Sequence, residues 1–399
     1  SGYAVDAGAA FNPFDPVVMA DPYAYYRRMR EQDPVHWSGV VRAWFLTRHA
    51  DVSELLRDDR FSADRTLSER YVPPPPERRR PGKSMLVVDP PDHTRLRNLV
   101  SRAFTPRMVE QLRPRIESIS SDLLDRLGQC GDVDLIAEFA YPLPVVVIAE
   151  LLGVPARDRM RFQEWSAILV RGLDPVVDDA TQEAVFEARE ALTDYLRGIV
   201  AERRLAPAGD LITGLIAAED AGEVLSEAEL LAMCNLLLVA GHETTVNLIG
   251  SGTLALLRHP DQLDRLRRDP ALARTAVDEL LRYTSPVQWT ARVALTELEL
   301  GGRRIERHQS VVGILAAANR DPAVFTDPDR LDLGRDPNPH LSFGRGIHFC
   351  LGAPLARLEA QIALPMLLER FPRLRLAGEP EARPTWNLRG VARLPVAVG

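Results

Sequence analysis

Residues 340–352, HLSFGRGIHFCLG, place a cysteine and two histidines within a run rich in glycine and aromatic residues. Cys350 could be a catalytic nucleophile with His348 as its base, but side chains two residues apart point in different directions in most backbones. No carboxylate nearby in the sequence would orient the histidine. A buried structural cysteine is the second alternative, because free cysteine is among the most buried residue types. That alternative leaves the surrounding glycines unexplained.

A thiolate ligand for haem iron accounts for more of this segment. Such a ligand must be anionic, its sulfur needs backbone N–H donors, and glycines allow the chain to approach the porphyrin closely. Gly344, Gly346 and Gly352 can supply that freedom. The following residues, APLARLEAQIALPMLLERF, predict a helix with Pro354 in its first turn, and a helix N-terminus beside Cys350 favours thiolate over thiol. We therefore expect a site that is charged before iron binds.

Other catalytic patterns are incomplete in this chain. His242-Glu243 begins the zinc-protease pattern H-E-x-x-H, but position 246 is Val. Gly344 begins a G-x-G-x-x-G, but position 349 is Phe and no βαβ pattern precedes it. Cys130, Cys234 and Cys350 are too widely separated in sequence to indicate a disulfide framework or a structural zinc site.

The overall composition favours a globular protein that works in a reducing cytoplasm. The 399 residues are 46% hydrophobic and carry a formal net charge of −7, so we expect no general attraction to nucleic acid or to an anionic membrane. The first residues lack the features of a signal peptide, and no apolar stretch reaches the length of a membrane span. We expect a monomer.

Apolar residues recur at helical spacing along most of the chain, and strand-like segments are few and short. Residues 1–399 are therefore predicted to form a single domain, mainly α with a minor β region, with a stiff proline loop over residues 71–84. The longest predicted helix begins at a capping box of Ser226 and Glu229 and ends before His259-Pro260. The segment AGHETT at 240–245 interrupts its apolar pattern and predicts a widened turn.

At this point the sequence resembles the soluble bacterial members of the cytochrome P450 superfamily. FGRGIHFCLG matches the family signature F-G-x-G-x-H-x-C-x-G in full, with Cys350 in the position of the iron ligand. AGHETT, an E-x-x-R pair and FTDPDRL at 325–331 follow the order of the family, and the resemblance extends from NPFDP to LRGVARLPV. It implies the cytochrome P450 fold and haem b, iron protoporphyrin IX, with the Cys350 thiolate as axial ligand.

The resemblance also implies roles for residues on the long helix. Ala240 and Gly241 would leave room for dioxygen above the haem, Thr244 would hydrogen-bond the bound oxygen, and Glu243 would relay protons from solvent. The alternative interpretation is that Thr244 hydrogen-bonds a carbonyl of its own helix and that Glu243 is an exposed charge.

Further residues are assigned to haem binding and to support of the haem-binding core. In resembling proteins His93, Arg97, Arg292 and His348 hold the haem propionates, while Phe343, Gly344 and Gly352 belong to the haem-binding segment. The alternative is that His93 and Arg97 lie in water. Glu279, Arg282 and Arg330 would form a buried structural triad with no catalytic role.

The implied activity is that of a monooxygenase in secondary metabolism, which hydroxylates or epoxidises a medium-to-large hydrophobic substrate with O₂. Electrons would come from a separate ferredoxin or flavodoxin, which binds a basic face formed by Arg102, Arg107, Arg345 and Arg357. A haem-thiolate protein that binds a ligand without turnover, and a P450 that uses peroxide or catalyses oxidative coupling, are the alternatives. Residues 71–87 and 160–180 would form the roof of the substrate pocket, with Gln288 and Asn387 as hydrogen-bonding groups in a lining of Leu236, Val239, Ala240, Thr244, Gln288, Asn387 and Leu388.

Overall fold

The computed structural model describes residue 12 and residues 15–79, 82–129, 131–172, 178–218 and 221–399. Cys130 and part of the predicted roof, residues 173–177, lie outside this set. The α-helices are Pro16–Ala20 (α1), Pro22–Gln32 (α2), His49–Arg57 (α3), Asp92–Ala103 (α4), Pro106–Gln111 (α5), Arg113–Leu127 (α6), Pro142–Leu151 (α7), Arg159–Arg171 (α8), Asp179–Leu205 (α9), Leu211–Ala217 (α10), Glu227–Arg258 (α11), Pro260–Arg268 (α12), Ala273–Thr284 (α13), Leu315–Ala318 (α14) and Ala353–Arg370 (α15).

The strands are short and form small sheets at the edge of the helical body. They are Val35–Ser38 (β1), Ala43–Leu46 (β2), Phe61–Ser62 (β3), Asp132–Asp134 (β4), Trp289–Ala294 (β5), Leu298–Leu300 (β6), Arg303–Ile305 (β7), Ser310–Ile314 (β8), Arg375–Leu376 (β9), Glu381–Ala382 (β10), Val391–Arg393 (β11) and Pro395–Ala397 (β12). Five of them form a sheet in the order β1-β2-β8-β5-β3. The prediction of a mainly α protein with a minor β region is confirmed.

The five-stranded sheet is mixed. Strand β2 pairs with β8 in parallel, with Ala43 opposite Ser310, and β5 pairs with β8 antiparallel, with Arg292 opposite Val311. The parallel pair joins residues near the N-terminus to residues almost 270 positions later. It is therefore a long-range tertiary contact and not a local hairpin. Strand β5 lies between β8 and β3, and its residues Thr290 and Arg292, two positions apart, line the same cavity.

Helix α11 is the central element of the fold. Its N-terminus carries the predicted capping box, in which the Ser226 hydroxyl accepts from the Glu229 N–H and the Glu229 carboxylate accepts from the Ser226 N–H. The helix ends at Arg258, immediately before His259-Pro260, as the sequence predicts. Most of its residues from 230 to 256 are buried, because α7, α9, α13 and α15 pack around it.

The apolar core is divided between the helices and the sheet. One large cluster joins residues of α4 to α13 and α15, and two smaller clusters lie on the two faces of the five-stranded sheet. Helix α15 packs against α6, α11 and α13, so the segment that contains Cys350 leads directly into the most buried part of the molecule. Within the described ranges, no helix is both long enough and apolar enough to cross a membrane.

Candidate functional site

The backbone around Cys350 is tightly folded before α15 begins. Gly344 and Gly346 both have positive φ, at 72° and 73°. A side chain at Gly346 would place its Cβ 2.5 Å from the carbonyl oxygen of Leu56, so only glycine fits there. The N–H of Cys350 donates to the carbonyl of Phe343 at 2.9 Å, and this bond closes the loop that presents the sulfur.

Burial dominates the electrostatics of the cysteine. It raises the pKa of the Cys350 thiol, and the N–H groups of Gly352 and Ala353 with the charges of Arg97 and Arg357 oppose that rise without reversing it. We expected the helix N-terminus to favour thiolate over thiol, and the two N–H groups at that end do act to lower the pKa of Cys350. Desolvation of the anion acts in the opposite direction and is the larger effect in the protein without its cofactor.

A group of two histidines and two arginines lies beside the cysteine. His93 is 3% exposed, and its ring centroid lies 4.1 Å from that of His348. The Nε2 atoms of both rings are buried and have no hydrogen-bond partner. Burial and the neighbouring charges of His93, Arg292 and Arg97 lower the pKa of His348 to about 3. Burial of these two histidines excludes the alternative in which His93 lies in water.

Arg292 and Arg97 complete this group, which we call the cation cluster: His93, Arg97, Arg292 and His348. Burial, together with the nearby charge of Arg65, lowers the pKa of Arg292 to about 10. The nearest acid, Asp89, already accepts hydrogen bonds from the Ser62 hydroxyl and the Ala63 N–H. The cation cluster therefore holds buried positive charge and unused donors that fit an anionic group with several oxygen atoms.

Cys350 and the cation cluster line one cavity, with a volume of about 270 Å³. Its lining is mainly apolar, and α11 contributes one wall through Leu236, Ala240, Gly241 and Thr244. A second cavity, of about 350 Å³, lies elsewhere between α6, α7 and α10 and contains neither Cys350 nor the cation cluster. The smaller cavity is therefore the candidate site, because its lining contains Cys350 and the cation cluster.

Some predicted pocket residues lie outside this cavity. Gln288 is fully buried, with its Oε1 accepting from the Tyr26 hydroxyl at 3.0 Å and its Nε2 donating to the Ser285 carbonyl at 2.7 Å. Asn387 accepts from the N–H of Trp289. Leu388 forms a β-bridge with Val287, and Val239 packs against the helical core.

The hydrogen-bonding groups of the cavity are therefore not the two amides that the sequence suggested. Besides the cation cluster, the hydroxyl-bearing residues of the lining are Thr244, Thr245, Thr290 and Ser342. Of the predicted roof, Met85 and Leu86 line the cavity, while the described part of 160–180 does not. The lining residues that sequence reasoning missed come from elements far apart in the chain, such as Ile148, Leu248, Leu281, Val287 and Leu315.

Helix α11 lacks the widened turn that was predicted at residues 240–245. Helix α11 is a continuous α-helix through residues 240–245, and the Thr244 hydroxyl donates to the Ala240 carbonyl at 3.3 Å. The alternative for Thr244, a hydrogen bond to its own helix, is the one that the structure contains. Back-bonding satisfies the hydroxyl locally, so no opening of the helix is needed to accommodate it.

Glu243 is buried rather than exposed. It is 1% exposed, and its Oε2 is ion-paired with the Arg383 guanidinium from the loop after β10. Burial raises the pKa of Glu243, but the hydrogen bonds and charges of His242 and Arg383 more than offset this, so the pKa lies below its usual value. Arg383 was not a sequence candidate, because nothing in local spacing connects positions 243 and 383.

The structural triad forms with a different third member. Glu279 and Arg282 are fully buried and joined by two hydrogen bonds of 2.8 Å, and Arg335 adds its Nε to the same carboxylate. The prediction of Arg330 is wrong for the side chain, which is exposed, because only its backbone carbonyl accepts from Arg282. The chain turns between 330 and 335, and that turn directs Arg335 inward.

Comparisons with known proteins identify the family. Residues 159–395 match the family model described as Cytochrome P450. Cytochrome P450 107B1 of Saccharopolyspora erythraea is 48% identical over 97% of both chains, and 6-deoxyerythronolide B hydroxylase of the same organism is 42% identical over 94% of this chain and 96% of its own. The solved structure of the bacillaene polyketide synthase cytochrome P450 PksS of Bacillus subtilis has a TM-score of 0.91 and 42% identity, covering 98% of this chain and 100% of the other.

The chain therefore belongs to the cytochrome P450 family, in its soluble bacterial type, and is a P450 monooxygenase. The family implies haem with cysteine thiolate ligation, a hydrophobic substrate, O₂ and a redox partner. The cavity fits that cofactor in two respects. Cys350 presents a single sulfur, with no cluster of three or more His, Cys, Asp or Glu side chains arranged for a metal in the described part of the chain, and the cation cluster offers unused donors for carboxylates.

Proposed function

We propose that this chain, as one monomeric P450 domain over residues 1–399, binds haem b in the cavity between α11 and the Cys350 segment and oxygenates a hydrophobic substrate there. The observation that carries the proposal is the shared cavity of Cys350, the cation cluster and the Thr244 wall of α11. These groups come from four separate parts of the chain, and no local structural need explains their convergence. When bound, haem supplies the dioxygen and electron-transfer chemistry, and a thiolate ligand favours O–O cleavage.

Residues on one side of the cavity would bind the cofactor, and residues of α11 on the other side would deliver protons. Cys350 would hold the iron, with Phe343, Gly344 and Gly352 shaping the loop around it, and the cation cluster would hold the two propionates. Because burial raises the pKa of the free thiol, coordination itself would keep Cys350 deprotonated. The small side chains of Ala240 and Gly241 would leave room for dioxygen at the facing wall, which α11 forms. Glu243 and Thr244 would deliver protons there.

The substrate proposal follows from the cavity lining and the relatives. Apolar side chains dominate the walls, and three threonine hydroxyls can orient an oxygenated molecule. One relative is named for polyketide biosynthesis and another as a macrolide-precursor hydroxylase. We infer a polyketide or macrolide of secondary metabolism as the substrate class, with hydroxylation or epoxidation as the reaction.

The electron donor is proposed to be a separate ferredoxin or flavodoxin. Arg102, Arg107 and Arg345 are exposed, and Ile347 and Phe349 expose apolar surface next to Cys350. Arg357 is held by Asp278 at 2.9 Å and lies over the Phe343 ring, so it supports the loop more than it offers free charge. Replacing Arg107 and Arg345 with Ala should slow ferredoxin-supported turnover and leave peroxide-driven turnover unchanged; equal losses in both would refute this docking face.

The haem proposal is tested by the absorption spectrum of the dithionite-reduced protein with carbon monoxide. The wild type should show the red-shifted Soret band of a thiolate ligand, and Cys350→Ala should lose it. Cys234→Ala is the matched control, because Cys234 is a fully buried cysteine of α11 outside the cavity lining. The same band in Cys350→Ala as in wild type, or no haem in the wild type, would overturn the proposal.

Turnover separates the monooxygenase from the alternatives. O₂-dependent oxygenated product from a macrolactone, supported by a surrogate ferredoxin and its reductase, is the expected result. Haem binding with no product from any member of a macrolactone and polyketide panel would favour a ligand-binding protein, and a dehydrogenatively coupled product would favour oxidative coupling.

A further inference from the structure

A cluster of buried polar side chains lies on the side of α11 that faces away from the cavity. The function proposed above assigns a role to only one of them, Glu243. His242 is 0% exposed and Glu243 1%, and Arg383 from the C-terminal region reaches both Glu243 and Asn247. Ser166 of α8 contacts the same histidine. Three separate elements, α8, α11 and the loop after β10, thus meet around His242 and Glu243.

The hydrogen bonds determine which ring nitrogen of His242 can carry a proton. Nδ1 lies 2.7 Å from the Leu238 carbonyl, which can only accept, so Nδ1 carries a hydrogen in every protonation state. Nε2 lies 2.7 Å from the Ser166 hydroxyl and 3.1 Å from Oε1 of Glu243. When the ring is neutral, Nε2 accepts from Ser166 and cannot donate to the carboxylate.

The unpaired carboxylate oxygen fits this arrangement. Oε1 of Glu243 has no well-aligned hydrogen bond although it is buried, whereas Oε2 is ion-paired with Arg383. A buried acceptor without a donor is costly, of the order of 1–3 kcal/mol, so such a position needs a reason. A proton on Nε2 of His242 would satisfy Oε1 directly.

We propose that His242 is a positioning residue that holds a proton for Glu243. This inference rests on the proposed function, because it gives Glu243 a source for the protons it passes toward Thr244. The step moves one proton and no electrons: the Nε2–H bond of the imidazolium breaks as an O–H bond forms on Oε1. The neutral ring then accepts from Ser166 again, and a proton from solvent restores the imidazolium.

The His242–Glu243 pair is surrounded by few other charged or titratable groups in the described part of the chain. Arg383 faces the carboxylate from the C-terminal loop and is 20% exposed, so it connects the group to the surface. Tyr141, at the N-terminus of α7, packs edge-on against the His242 ring at 6.0 Å, and burial and Glu243 raise its pKa to about 12. Tyr141 therefore stays neutral, and the charged side chains that face the His242 ring or its neighbour in the described residues are Glu243 and Arg383.

The first test uses His242→Gln, which preserves a donor near Oε1 but cannot hold a titrating proton. The readout is the infrared C=O band of a protonated buried carboxyl, assigned by its loss in Glu243→Gln. His242 contributes to lowering the pKa of Glu243, so the variant should keep its protonated band to higher pH than wild type. Identical titrations in the two proteins would overturn the proposal.

The second test compares two modes of turnover. In His242→Gln we expect O₂- and ferredoxin-dependent turnover to fall by about tenfold to a hundredfold, with peroxide-driven turnover unchanged, because peroxide brings its own protons. His259→Gln is the matched control: His259 makes the same 2.7 Å bond to the carbonyl four residues earlier, but its ring packs against Tyr283. Equal losses in both modes would refute the role of His242.

The two tests separate failure of this inference from failure of the proposed function. If the protein binds no haem, the infrared titration still reports the His242–Glu243 pair. If haem binds and turnover is normal, but neither the titration nor the coupling to O₂ changes in His242→Gln, only the inference fails.

Discussion

Two buried clusters of charge in this molecule follow opposite rules. In the cluster of Glu279, Arg282 and Arg335 every charge has a partner, and the carboxylate also accepts from the Asp332 N–H and the Asn338 amide. In the cation cluster the charge lies on Arg97 and Arg292, the two histidines are neutral because burial lowers the pKa of each, and one nitrogen of each ring has no partner. A satisfied cluster supports the fold, whereas an unsatisfied one requires a ligand to complete it.

The largest effect should come from breaking the satisfied cluster. Glu279→Ala would leave the Arg282 guanidinium buried without its carboxylate, at a cost of about 3–5 kcal/mol. We expect a large fall in the free energy of unfolding, measured by urea denaturation, or loss of folded protein during expression. Arg330→Ala is the control, because its side chain is exposed, and it should change stability by less than about 0.5 kcal/mol. A similar loss in both variants would contradict the difference between Arg335 and Arg330.

Changing the unsatisfied cluster should affect the cofactor more than the fold. Arg292→Ala removes a buried guanidinium whose charged form is disfavoured by burial and by the nearby charge of Arg65, so we expect the haem-free protein to lose less than about 1 kcal/mol of stability. Haem should leave the variant about tenfold faster or more, because one charge-assisted hydrogen bond contributes about 1.5–3 kcal/mol. Transfer of haem to an excess of a haem-accepting protein measures this, with the exposed Arg304→Ala as control. Unchanged haem transfer would remove Arg292 from the cofactor site.

Glu359 of α15 is a buried ionisable group outside both clusters, and its replacement should give the smallest effect on stability. It is 1% exposed, its Oε2 has no partner, and burial raises its pKa well above the usual value. Its stabilising contribution is therefore complete below the unfolded-state pKa, about 4.3, and is lost as the pH rises toward the folded-state pKa. Glu359→Gln should gain at least about 1 kcal/mol on wild type between pH 5 and pH 7, in urea denaturation at both values. Parallel pH dependences would show that Glu359 is ionised in the folded state.

Much of the site could be predicted where the chemistry is local. The Cys350 loop, the capping box of Ser226 and Glu229, and the Glu279–Arg282 pair each involve residues within a few positions of one another. Spacing along a helix or a tight turn brings such residues together whatever the rest of the chain does. The same reasoning, with the family resemblance, led to the cation cluster, whose members the structure brings to one cavity.

The predictions that failed depended on contacts between distant residues. Gln288 was expected in the pocket but is bound to Tyr26, which lies 262 positions earlier. The alternative in which Glu243 is an exposed charge also fails, because Arg383, 140 positions later, pairs with its buried carboxylate. Neither pairing leaves a signal in residue spacing, because each follows from how the sheet edge and the C-terminal loop pack on the helices.

By itself, the sequence determined the family, the mainly helical fold, the cysteine that lies in the cavity and the ends of the long helix. Only the tertiary structure decided which arginine joins Glu279, that burial opposes the ionisation of Cys350, and which residue pairs with Glu243 behind the cavity wall. The physical reason is that backbone propensity and side-chain spacing act over a few residues, whereas desolvation and ion pairing depend on everything that packs around a group.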